Sequence, residues 1–394
     1  MSARIILKGL VLAALGVAGY WPVRLAWADW RFRQNTIESV RRAVALDPGN
    51  ARYHAWLAEF EEYEGHDPSR ELAIASILNP NDSAIWIRRG LRAESQRDFG
   101  QAEEFLLKAA AIDKLYAPRW ALANYYARKG DSERMWPWIR QALEMAYDDS
   151  SALFRLCWSV SSDAELIRTR AIPPRNDVLG KYLAFLTREN RLEAAEPIAW
   201  DFLAEARPSD AQVALNYCER LIERSDGNKT VSVWNTLCER KLLPFARLFP
   251  ERGAVLTNGG FELEPLQQGF DWRISAEPEI SVTRAESPRA VRFRMSGKQP
   301  EHCELLSQFI PLAPDQTYRL RWEYRTAASG LRWKIAGLSE SAEFTASEWT
   351  PAEMSFASGR RSLAKLVLGY DRAPGSVRTE GEMWLRNATI SLAR

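Results

Sequence analysis

Three large aromatic residues, Trp86, Trp120 and Phe154, follow one another at intervals of 34 residues, and that interval limits what the first half of the chain can fold into. A repeat of this length holds two helices and a turn. Neither helix can bury its apolar face alone, so successive units must stack. The unit that starts near Ser83 shows the packing rule best, with Trp86 and Gly90 on its first helix and Ala102 and Ala109 on its second. A large side chain set beside small ones lets two helices approach closely. Ala43 with Pro48, and Ala75 with Pro80, mark the ends of earlier units, because each proline stops one helix before a polar turn starts the next.

The period and the large–small spacing resemble the tetratricopeptide repeat, most specifically over residues 36 to about 154. Two further helix pairs are expected beyond it, one around the Glu189-Asn190-Arg191 turn and one across residues 210–243. Breaks at Ile172-Pro173-Pro174 and at Ser225-Asp226-Gly227-Asn228 set them off. The resemblance implies a concave surface, lined by the first helix of each unit, that holds a peptide or a partner protein. Arg88, Arg89, Asn124 and Arg128 are the candidate groove residues, whereas Trp86 and Trp120 are expected in the core. The plain alternative for the stack is a rigid spacer.

Before the repeats, residues 1–23 read as a short basic leader and an apolar run, with Lys8 the single charge between residues 5 and 23. Nineteen helical residues span about 28 Å at ~1.5 Å each, enough to cross a bilayer core. Tyr20, Trp21 and Trp27 fit an aromatic belt at the membrane surface. Ala26-Trp27-Ala28 also suits signal cleavage. An uncleaved anchor is the expectation, with a cleaved signal or a buried core helix as alternatives.

After residue 250 the helical period gives way to alternation. Tyr318, Leu320, Trp322 and Tyr324 share one face of a strand, and Arg319, Arg321, Glu323 and Arg325 share the other. Leu331, Trp333 and Ile335 alternate in the same way with Arg332 and Lys334. Further strands are expected at 291–295, 303–310, 353–356, 364–368 and 383–392. About eight strands in roughly 140 residues predict a β-sandwich or jelly roll.

The strings LTNGGFE, GFDWRI, QFIPLAPDQTYRLRWEYR and GEMWLRNATISL resemble the carbohydrate-binding, galactose-binding-like jelly rolls, a match that runs from Val255 to the end. The resemblance implies a sugar held by stacking and by polar side chains. Candidates are His302, Arg321, Glu323, Arg325, Arg332 and Tyr370, with an ordinary solvated strand face as the alternative. Trp272, Trp322, Trp333 and Trp384 are expected in the core. Family members often place an acidic residue in the closing strand, where it helps hold a calcium ion; here the position is Arg386. Calcium takes oxygen ligands, so a Glu262–Arg386 ion pair is expected in place of a metal.

With 53 basic and 51 acidic residues the chain carries no cationic field that would suit nucleic acid. Cys157, Cys218, Cys238 and Cys303 form no metal-ligand spacing; buried thiols are expected, with a Cys218–Cys238 bridge left open. There is no P-loop, GxSxG or HExxH, and Glu301 with Glu304 is a thin basis for a glycosidase. No cofactor is implied. The expected fold is multidomain: an all-α tetratricopeptide-type helical solenoid followed by an all-β jelly-roll sandwich, with an N-terminal membrane helix. The expected divisions are 1–28, 29–250 and 251–394. The expected function is a non-enzymatic, exported scaffold anchored in the inner membrane and facing the periplasm or exterior. It would hold a protein partner and a polysaccharide, in extracellular polysaccharide or envelope glycan assembly. A protein-only adaptor and a cryptic glycan-modifying enzyme are the alternatives.

Overall fold

The computed structural model describes residues 19–286 and 289–393. The chain divides into two compact units, Met1–Pro173 and Pro174–Arg394. The division falls at the Ile172-Pro173-Pro174 break, where two consecutive prolines cannot continue a helix.

The first unit is a run of helices. They are α1 (described over 19–32), α2 (Ile37–Leu46), α3 (Ala51–Tyr63), α4 (Ser69–Leu78), α5 (Ser83–Ser95), α6 (Phe99–Ile112), α7 (Tyr116–Lys129), α8 (Ser132–Met145), α9 (Ser151–Val160) and α10 (Ala164–Arg170). Asn50, Asp82, Asp98 and Asp131 cap α3, α5, α6 and α8 by accepting a hydrogen bond from a free first-turn N–H. Helices α3/α4, α5/α6 and α7/α8 pack as hairpins. In α5/α6 the large–small rule holds: a Cβ added to Gly90 would sit 2.6 Å from Cγ of Leu106. Ala102, Leu106 and Ala109 are fully buried.

A second device recurs at the fourth residue of successive first helices. His54, Trp86 and Arg119 hold this place in α3, α5 and α7, and each is buried. In each, a side-chain nitrogen donates to the backbone carbonyl six residues earlier. The distances are 3.0 Å to Pro48, 2.9 Å to Pro80 and 3.4 Å to Asp113. Three chemically different side chains thus satisfy the same carbonyl, between one repeat and the next. Phe154 fills the fourth position of α9 and is 1% exposed. His54 Nδ1 also meets Glu71 Oε2 at 2.6 Å, joining α3 to α4.

The 34-residue spacing misplaces one residue. Helix α7 begins 33 residues after α5, so Arg119 takes the position of Trp86 and Trp120 falls one place round the helix. Trp120 is half-buried and stacks on Tyr116 at 6.2 Å, rather than sitting in the core.

In α1, Ala28 and Phe32 join the core formed with Ile37, Val40, Ala43, Tyr53 and Leu57. Tyr20, Trp21, Trp27 and Trp30 on the same helix are exposed. Among the described residues no helix is long and apolar enough to cross a membrane. Most of the expected membrane segment, residues 1–18, lies outside the described residues.

The second unit opens with α11 (Asn176–Arg188), α12 (Leu192–Glu205), α13 (Ala211–Glu223) and α14 (Gly227–Glu239). The turns at Asn190 and Ser225 both use positive φ, at 57° and 58°. Ten strands follow among the described residues: β1 (Arg273–Ile274), β2 (Ile280–Glu286), β3 (Arg289–Ser296), β4 (His302–Pro311), β5 (Thr317–Thr326), β6 (Leu331–Ile335), β7 (Ser339–Glu340), β8 (Thr350–Ala357), β9 (Leu363–Asp371) and β10 (Glu380–Leu392). They form two five-stranded antiparallel sheets, in the orders β1-β4-β9-β6-β7 and β2-β3-β10-β5-β8. Between them lies a core that includes Trp272, Trp322 and Trp333.

The motif strings are structural. Phe261 stacks on Trp272 at 5.5 Å, and Trp272 Nε1 donates to Asn258 O. Gln308 is fully buried and its amide donates to the carbonyls of Thr257 and Phe270. The Tyr318 hydroxyl donates to Pro250 O and accepts from Ala313 N.

The sandwich is fused to the helix pair before it. Trp234 of α14 is fully buried, with Phe245 stacked on it and the Phe270 ring edge-on at 5.8 Å. Gly269, at φ 60°, is where the indole lands: a Cβ there would lie 2.3 Å from the ring. Arg273 of β1 pairs with Glu219 of α13 at 2.7 Å, both side chains partly buried. Burial pushes the thiols of Cys157 and Cys238 up to about 12, so they stay protonated. All four cysteines are free.

Replacing Gly90 by Ala tests the large–small packing. In an open helix this change adds about 1 kcal/mol of stability. Here the new methyl group meets Leu106, and a net loss of about 1–2 kcal/mol is expected in urea denaturation. A more stable variant would contradict the packing.

Candidate binding faces

On the helical stack the four groove candidates are all held by the stack itself. Arg88 donates to Ala55 O at 2.9 Å and pairs with Glu62 at 3.3 Å, linking α5 to α3. Arg128 of α7 makes a two-pronged pair with Glu94 of α5, both contacts 2.7 Å. Glu62 and Glu94 each occupy the twelfth residue of their helix, so these pairs tie successive first helices. Arg89 donates to Ser76 Oγ at 2.8 Å and lies 4.0 Å from the Phe105 ring centroid; burial lowers its pKa. Asn124 donates to Trp120 O within its own helix. The three arginines thus brace the stack.

The six sandwich candidates divide between the sheets. Tyr370 is a correction: it is 1% exposed and part of the core. Strand β9 runs on to Asp371, which keeps Tyr370 in phase with the inward Leu366 and Leu368. Its hydroxyl accepts from Thr379 N. His302 and Arg332 belong to the β1-β4-β9-β6-β7 sheet. There His302 Nδ1 meets Asp371 at 2.9 Å, and Arg332 lies 3.7 Å from both Glu340 and Glu343. Arg321, Glu323 and Arg325 come together on the other sheet, on the outward side of β5.

That outward side carries a feature the sequence reading missed. Pairing aligns Arg292 of β3, Trp384 of β10 and Arg325 of β5 in one row. Trp349, just before β8, and Arg386 of β10 extend it. Guanidinium and indole alternate along this row. Arg292 and Arg325 lie 5.3 and 4.7 Å from the Trp384 centroid; Arg325 and Arg386 lie 5.4 and 4.1 Å from that of Trp349. Each such contact contributes about 0.5–1 kcal/mol at an exposed site. Trp384 is accordingly half-buried, outside the core expected for it. The alternation that placed Trp322 inward places Trp384 outward, since Met383 and Leu385 are the buried neighbours; counting that phase was the available signal.

Carboxylates hold the ends of the row. Arg292 pairs with Glu382, Nε to Oε2 at 3.0 Å, and Arg386 pairs with Glu323 at 2.7 Å. The Asn387 amide also donates to Glu323, at 2.8 Å, from a residue at φ 54° in the β10 bulge. Asn387 and Arg386 together hold the Glu323 carboxyl below its ordinary range. The expected Glu262–Arg386 pair is therefore a second correction. Glu262 pairs with Arg289 at 2.6 Å, because Arg386 projects outward from its sheet toward Glu323 on the adjoining strand. Among the described residues no group of three or more His, Cys, Asp or Glu side chains stands ready to hold a metal ion.

Two depressions open on this face. One of ≈ 420 Å³ is lined by Arg321, Glu323, Glu353 and Asn387, among others. The other, ≈ 220 Å³, is lined by Arg325, Ser347, Glu382 and Trp384 with Thr326 and Ala327. Such a surface offers donors, acceptors and indole edges together.

No family model matches the chain, and no curated protein matches it. Among solved structures, the helical part is similar to the Pseudomonas aeruginosa protein PilF (16% identity, 57% of this chain and 93% of that one, TM-score 0.29). It is also similar to YrrB, a TPR protein with an unusual peptide-binding site (12% identity, 53% and 94%, TM-score 0.26). The β part is similar to a carbohydrate-binding module, CBM4 (12% identity, 34% and 98%, TM-score 0.26).

Glu323 provides a test of the row with a defined pH sign. Its folded pKa is lowered, so its contribution to stability is complete above the unfolded value near 4.5 and disappears as pH falls through the folded value. Glu323→Gln is expected to cost about 0.5–1 kcal/mol at pH 7 and almost nothing at pH 3, by urea denaturation at each pH. An equal cost at both would contradict the pairing.

Proposed function

We propose that this chain is a non-enzymatic, membrane-tethered scaffold that holds a glycan on the outward face of the β2-β3-β10-β5-β8 sheet and a protein partner on its helical stack. The observation that carries the reading is the Arg292–Trp384–Arg325–Trp349–Arg386 row with its flanking depressions. The sandwich core closes on the opposite side of this sheet, so these outward side chains are not needed to fill it. Because guanidinium groups cover the indoles, a sugar would meet ring edges and polar side chains rather than a bare aromatic platform.

Glu301 and Glu304 give little support to a glycosidase. Arg372 holds Glu301 at 3.0 Å and Lys365 holds Glu304 at 2.6 Å. Membrane tethering draws its support from the apolar sequence over residues 5–23 and the exposed Tyr20, Trp21, Trp27 and Trp30 at and beyond its end. We place the bulk of the chain on the periplasmic or outer side of the inner membrane, in envelope or extracellular polysaccharide assembly. With the groove arginines engaged in bracing, the protein-binding role of the stack rests on its repeat geometry.

Full-length protein in detergent, applied to a glycan array, tests the glycan reading. Binding is expected, and Trp349→Ala is expected to weaken it at least tenfold. A folded protein that retains no glycan would leave the protein-only adaptor in its place. For the tether, carbonate washing of membranes is expected to leave the protein in the pellet; release into the wash would overturn that part.

A further inference from the structure

We infer that the glycan taken by this face is acidic, a polysaccharide bearing uronic-acid carboxylates, and that Arg325 receives the carboxylate. This rests on the glycan reading above and adds the ligand class. Of the three arginines in the row, Arg292 has Glu382 and Arg386 has Glu323, but Arg325 has no carboxylate partner among the described residues. Its Nε is buried and makes no hydrogen bond. A guanidinium normally presents a planar fork of donors that matches a carboxylate. Two indoles, 4.7 and 5.4 Å away, restrict the Arg325 plane before any ligand arrives, which reduces the ordering cost of binding.

The surroundings favour an anion. Arg325 lines the ≈ 220 Å³ depression beside Ser347, a neutral donor, and Glu382, whose charge Arg292 already neutralises. Arg294, the next outward residue of β3, is exposed and stands opposite Glu382, the same carboxylate that Arg292 holds, so two arginines share one acid there. Outward positions of β3, β5, β8 and β10 together hold six arginines (292, 294, 319, 321, 325 and 386) against four glutamates (323, 353, 380 and 382). A neutral sugar has no use for that excess. The pyranose ring of a uronic acid brings a flat face for the indole edges and a carboxylate on one carbon, so one residue of the polymer matches both parts of the row.

The experiment is calorimetric titration of the full-length protein with a galacturonate hexamer, a neutral galactose hexamer, free galacturonate and poly-glutamate. The expected result is that the acidic hexamer binds at least tenfold more tightly than the neutral one, with an affinity that falls as salt is raised. Arg325→Gln should weaken the acidic hexamer at least tenfold, and by a larger factor than the neutral one, so that the preference between the two narrows. Arg294→Gln, at an exposed position opposite Glu382, should weaken the acidic hexamer two- to fivefold while the melting temperature stays within about 3 °C. That keeps the test decisive if Arg325→Gln unfolds. Equal binding of both hexamers, unchanged in Arg294→Gln, would overturn the acidic ligand and leave the glycan reading intact. No binding of either hexamer by folded protein would overturn both. Binding of poly-glutamate as tight as the hexamer would make the partner an acidic protein, and free galacturonate as tight as the hexamer would make it a small carboxylate; each overturns the inference.

Discussion

Trp234 seated over Gly269 is the contact on which the second unit depends. An indole buried to 0% exposure, against a residue with no side chain at positive φ, holds α14 to the start of the sandwich. The Glu219–Arg273 pair lies beside it, and α14 also lies against β4. The last helix pair and the sandwich are consequently one compact body rather than two domains on a linker. Helix α14 packs against β4 of one sheet, and the half-buried row of arginines and tryptophans lies on the outward side of the other.

Periodic features were legible from the sequence. Trp86 with Gly90 fixed the α5/α6 hairpin, and the alternation in Tyr318–Leu320–Trp322–Tyr324 fixed which side of β5 is core. Features that depend on residues far apart in the chain were not. The fusion of α13 and α14 to the sandwich arises from a glycine 35 positions beyond its tryptophan, and neither residue is unusual in its own neighbourhood. Arg119 replaces a tryptophan in the repeat because its guanidinium reaches the same carbonyl, an equivalence of hydrogen bonding that no comparison of size or hydrophobicity reveals.

The site residues show the same division. Arg321, Glu323 and Arg325 follow from strand alternation and do share a face. Their partners come from β10 and from the approach to β8, so the pairing of Glu323 with Arg386, and not of Glu262 with Arg386, is a consequence of sheet order. In the repeats, Arg88 and Arg128, singled out for a groove, are instead braces between first helices, and Arg89 ties α5 to α4. A charged residue on a first helix is as useful to the neighbouring repeat as to a ligand, and spacing alone does not separate the two uses.

The account centres on the outward row of the sandwich as the surface that meets a ligand. The most direct measurement is the indole N–H spectrum of the protein, labelled at tryptophan, with and without an acidic hexasaccharide. The account predicts that Trp349 and Trp384 shift while the buried Trp272 and Trp333 stay in place. Shifts confined to tryptophans of the helical repeats, such as Trp120, would contradict it.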